Sequence, residues 1–70
     1  MADTLRLWQG LLSSRAVAHE LATMELNEAS VRVARGDADG MERLTIADRY
    51  FHETHRMLKA AERTVAGLAG

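Results

Sequence analysis

The chain has 70 residues, with 9 Lys+Arg, 10 Asp+Glu, 3 His, a net charge of -1, and neither Pro nor Cys. It makes one small domain at most, and a domain this size buries only ~60% of its unfolded surface. Without Cys there are no disulfides, iron–sulfur clusters or thiolate zinc sites, so a partner is the expected source of added stability.

The first predicted element is a long helix, from about residue 4 to 35. Nothing in it is Pro, so length is unrestricted. Gly10 and the Ser13-Ser14 pair are its weak point: Gly costs ~1 kcal/mol against Ala in a helix, and Ser can recap a new one. A break near residues 10–14 would leave residues 4–12 as a separate segment. Leu5, Trp8, Leu12, Arg15, His19, Ala22, Leu26, Ala29 and Val33 alternate by three and four, an a/d seam with two polar exceptions. His19 is expected as a satisfied, partly buried histidine rather than a pH switch.

The turn occupies residues 36–39. Gly36 suits the left-handed residue just past a helix end, with Arg32 and Arg35 beside the negative end of the helix dipole. Asp39 suits an N-cap, and Glu42 three residues later completes a capping-box pattern. Asp37-Ala38-Asp39-Gly40 lacks the rest of a calcium-loop ligand pattern and reads as turn chemistry.

The second helix is predicted from about 40 to 68, with the residues from Gly67 onward frayed. Leu44, Ala47, Phe51, Thr54, Leu58, Ala61, Val65 and Leu68 form its seam, with Thr54 the polar exception. The predicted fold is therefore all-α: one domain, residues 1–70, built as a coiled-coil-like antiparallel two-helix hairpin. Ala22, Ala29, Ala47 and Ala61 permit close approach of the helices.

One hairpin does not account for all the apolar positions. Leu7, Val17, Leu21, Met24 and Val31 occupy c and f positions of the first helix, nearly opposite its seam, and Met41, Ile46, Tyr50 and Met57 lie beside the seam of the second. A helix that is apolar on opposite sides is normally buried on both. Leu7, Val17, Leu21, Met24, Val31, Tyr50 and Met57 are therefore the candidate partner-binding residues, for another helical protein or a second copy.

Other chemistry is weaker. Asp48, His52 and His55 can share a helix face as a metal set, but no fourth ligand or orienting group is identifiable, so solvated polar residues are expected and no metal or other cofactor. Arg49, Arg56 and Arg63 recur every seven residues and are the candidate nucleic-acid residues of an alternative reading. Interspersed Glu53 and Glu62, the near-neutral charge and the lack of interleaved aromatics weigh against nucleic acid. No nucleophile has an identifiable base and orienting partner, so no enzymatic activity is expected. No stretch approaches the ~18 apolar residues of a membrane span. No charged leader and apolar block open the sequence, so a cytoplasmic protein is expected.

The Ala/Leu-rich helix from about His19, the Arg35-Gly36-Asp37-Ala38 turn and the Ala/Leu-rich end from Leu58 to Leu68 resemble the small co-chaperones of type III secretion needle subunits (the YscE/PscE-like family). The resemblance spans about residues 5–69. The chain departs from the family in lacking a glutamine-rich opening to its second helix and in carrying Trp8 and the His52/His55 pair. The resemblance implies a cytoplasmic helical hairpin that joins a larger helical-repeat chaperone to keep the needle subunit soluble before export. The expected function is a small chaperone, co-chaperone or adaptor working through helix packing. The alternatives are a homodimeric four-helix bundle binding RNA or DNA, or a structural subunit of a larger assembly.

Overall fold

Gly36 turns the chain. Its φ of +79° is open to glycine at no steric cost. With it in that conformation, the Gly36 amide donates to the Val33 carbonyl (3.0 Å) and the Asp37 amide to that of Arg32 (3.1 Å). This crossed pair is a Schellman motif, which satisfies carbonyls the ending helix would otherwise leave free. The computed structural model, described for residues 2–70, places α1 over Ala2–Ala34 before this turn and α2 over Gly40–Ala69 after it. The two pack along their whole length as an antiparallel hairpin about 52 Å long and 13 Å across. A 33-residue helix at 1.5 Å per residue gives that length.

Three local expectations change. First, α1 does not break at residues 10–14 but runs unbroken through Gly10 and Ser13-Ser14. A penalty of ~1 kcal/mol at Gly10 is too small to open a helix held along its seam by tertiary packing. Second, α2 continues past Gly67 to Ala69 instead of fraying there, and the Gly70 amide closes it on the Ala66 carbonyl at 2.9 Å. Third, Asp39 occupies the N-cap position of α2 but makes no side-chain cap. Its φ/ψ of -97°/4° is outside the β region that aims a capping side chain back at the first amides. The carboxylate instead accepts from Arg43 Nε at 2.6 Å.

The core is a ladder of small residues. Ala22, Ala29, Ala47 and Ala61 are buried, as is Thr54, and no large side chain is fully buried among the described residues. The alanines bring the helix axes together. The larger seam residues, from Leu5, Trp8 and Leu12 to Phe51, Leu58 and Val65, straddle the contact half-buried. Gly40 is buried too. A Cβ there would stand 3.1 Å from the Val33 Cα and N and 3.2 Å from the Arg32 carbonyl carbon. Glycine therefore lets the start of α2 lie against the backbone of α1.

Candidate protein-interaction face

The seam specifies which residues meet, and so which faces remain outside. His19 of α1 and Thr54 of α2 meet at mid-length, with Nδ1 and Oγ1 3.0 Å apart. The Thr54 hydroxyl also lies 3.0 Å from the Tyr50 carbonyl and 3.1 Å from that of Phe51. A hydroxyl has one proton. Donated to those carbonyls, it leaves the oxygen to accept from His19, which places the His19 proton on Nδ1. His19 and Thr54 are thus paired with each other within the hairpin, while Arg15, the third polar seam residue, is half-buried.

Around this bond the rings gather. His19 packs on Phe51 at 4.8 Å between centroids and on His55 at 5.3 Å, and the rings of Phe51 and His55 lie nearly parallel at 6.4 Å. His52 sits edge-on to Phe51, ring centroids 5.7 Å apart, but is exposed and has its Nε2 3.3 Å from Asp48 Oδ1. Asp48, His52 and His55 therefore do not converge. No group of three ligand-type residues positioned for a metal occurs among the described residues.

The partner-binding candidates all lie on the surface. Leu7 is 64% exposed, Val17 56%, Leu21 51%, Met24 62% and Val31 47%, while Tyr50 and Met57 are 38% and 44%. Ile46 and Met41 are as open as Leu7. In the heptad frame of each seam, Leu7 and Leu21 are c, Val17, Met24 and Val31 are f, Ile46 is c, and Tyr50 and Met57 are g. Around a helix the f, c and g positions are consecutive, and in an antiparallel pair the g flanks of the two helices face each other. The exposed apolar residues, apart from Met41 and Leu68, thus fall on one side of the hairpin, from the back of α1 round to the g and c positions of α2. Near the turn, where the two helices adjoin on that side, the surface is charged: an open groove is lined by Glu25, Glu28, Arg32, Asp39, Glu42 and Arg43 together with Ala29, Ile46 and Ala47. The opposite flank is polar, carrying Ser13, Glu20, Asn27, Asp48, His52, Lys59 and Glu62.

Arg49, Arg56 and Arg63 lie along the outer face of α2, all exposed, and none makes an ion pair among the described residues. The ion pairs among the described residues are one-turn contacts, Arg32–Glu28, Arg43–Asp39 and Lys59–Glu62; His52–Asp48 has the same spacing and is an ion pair only when the imidazole is protonated. Hydrogen bonding from Arg43 holds the Asp39 carboxyl below the usual aspartate range.

Sequence reasoning passed over Gly40 and the His19–His55 contact. Gly40 sits in a string of ordinary turn residues, and only the approach of Val33 gives it a role. The histidine pair depends on the register between helices, which the Thr54 exception in an otherwise apolar seam could have signalled. No helix is long and apolar enough to cross a membrane among the described residues. No family model, curated protein or solved structure matches the chain.

Proposed function

We propose that this chain is a protein-interaction module, a small chaperone, co-chaperone or adaptor that packs the apolar sector of α1 on a helical partner. One observation carries the reading: Leu7, Val17, Leu21, Met24 and Val31 stand about half or more exposed along one line of a single helix. Fully burying such side chains is worth ~1.5–3 kcal/mol each. Covering the exposed half of these therefore supplies several kcal/mol, comparable with the total stability of a domain this size. Contiguous exposed apolar surface on that scale marks interaction sites in small proteins. The likeness to type III secretion co-chaperones supports the same role and suggests a helical-repeat chaperone as the larger partner, in the cytoplasm.

The test is capture and mass together. The wild-type chain and the Leu21→Glu/Met24→Glu variant are each purified from the native cytoplasm with whatever they hold. Loss of the same co-purifying protein from the variant, with helical content unchanged by circular dichroism, supports the reading. Identical capture and identical mass would sink it.

The exposed, unpaired line of Arg49, Arg56 and Arg63 favours a second reading, a bundle that tracks the phosphates of RNA or DNA. It predicts affinity that falls steeply with salt. A retardation assay at low salt without a shift removes it.

A further inference from the structure

We propose that His19 and His55 form a two-histidine site for a divalent transition metal of the zinc type, joining α1 to α2 at the middle of the hairpin. The ligand set read along α2 alone does not converge; this pair is brought together only by the packing of one helix on the other.

The spacing suits shared ligation. The two imidazole centroids lie 5.3 Å apart, with the rings tilted by 53° rather than stacked. A tetrahedral Zn²⁺ about 2.0–2.1 Å from one nitrogen of each ring sets the ring centres about 5 Å apart. The hairpin therefore holds the pair at ligating separation without any movement of the backbone.

The chemistry of each ring agrees. A ligating histidine gives one nitrogen to the metal and is oriented by donating the proton of the other to a neighbour. His19 has that arrangement already. Its Nδ1 lies 3.0 Å from Thr54 Oγ1, whose own proton goes to the Tyr50 and Phe51 carbonyls. Nε2 is left with its lone pair, and Phe51, packed on the ring at 4.8 Å, limits its rotation. His55 is exposed, and none of the side-chain hydrogen bonds or ion pairs among the described residues involves it. The χ2 torsion of a histidine is broad, so this ring turns to aim a nitrogen at the ion. Neutral imidazole selects zinc, copper or nickel over magnesium and calcium, and the tetrahedral fit favours zinc. Two positions remain for water on the exposed side of His55. Such a site exchanges its metal more readily than a closed structural centre with four protein ligands.

Zn²⁺ alone, titrated into the full chain, tests the assignment by calorimetry, by thermal unfolding and by the imidazole signals in nuclear magnetic resonance. One ion per chain is expected, with the His19 and His55 signals moving at a common midpoint. Above saturation each tenfold rise in free Zn²⁺ raises the folded-to-unfolded ratio by up to about tenfold, read as a rising thermal midpoint. His55→Ala alters an exposed position, and His19→Leu keeps the seam apolar. Each removes a ligand, which weakens binding by at least the roughly 10–100-fold that follows loss of an outer partner. His52→Gln leaves binding unchanged. A wild-type chain whose unfolding does not respond to Zn²⁺ overturns the proposal, as does an equal response to Mg²⁺. Binding that survives His19→Leu, or that is lost in His52→Gln, overturns it too, because the ion then sits on α2 alone.

Discussion

Replacing Thr54 by Val removes the hydroxyl that holds His19 and keeps nearly the same shape. Thr54 is 5% exposed, and its Oγ1 lies 3.0 Å from His19 Nδ1. The loss strands the Nδ1 proton of a half-buried imidazole against Phe51 and His55. Leaving a buried donor unsatisfied costs about 1–3 kcal/mol, and the half-exposed ring places the expected loss at the lower end, about 1–1.5 kcal/mol. The contacts to the Tyr50 and Phe51 carbonyls add little, since those oxygens keep their helical partners. A domain of this size has roughly 3.5–10 kcal/mol in total, so the midpoint of urea unfolding shifts visibly. His19→Leu loses the same bond from the other side. Because the double variant leaves no polar group unpaired, its loss is smaller than the sum of the single losses, with a coupling of about 1 kcal/mol. Urea titrations of the four chains at one fixed concentration measure it. Additive losses would refute the hydrogen-bonded seam.

Further predictions concern the turn and the small-residue core. Gly40→Ala lowers stability by about 1–3 kcal/mol, because its Cβ meets backbone atoms of Val33 and Arg32 that cannot rotate aside; Gly10→Ala, with open space around it, raises stability by about 0.5–1 kcal/mol, both read from thermal unfolding. Ala22→Leu forces the helices apart at a fully buried contact and costs about 1–3 kcal/mol by the same assay. The Asp39 carboxyl is lowered in the folded state by hydrogen bonding from Arg43. Its contribution is therefore present above the ordinary aspartate range and is lost as pH falls through the lowered value. Asp39→Asn removes that part of the acid dependence, and the carbon chemical shift of the Asp39 carboxyl followed against pH gives the midpoint directly.

The hairpin was readable because its determinants are local and periodic. The heptads of both helices, the left-handed Gly36 and the alanine ladder each announce themselves within a few residues. The exposed stripe was readable for the same reason: it is a second period on the same helix, left over once the seam is assigned. What escaped depended on competition or on distance along the chain. Asp39 had two uses for one carboxylate, and the arginine one turn on prevailed over the cap. Gly10 read as a possible break because its propensity cost is visible locally, while the packing that outweighs it comes from α2. Gly40 and the His19–His55 contact take their meaning from residues on the other helix, and the polar Thr54 in the seam was the one local hint of the histidine pair.

Light scattering on the wild-type chain and on Leu21→Glu/Met24→Glu, each purified from its native cells, tests most directly whether the back of α1 is a contact surface. The wild type is expected to exceed the 7.7 kDa of a single chain, and the variant to fall to it with its helices intact. Equal masses for the two would contradict the account.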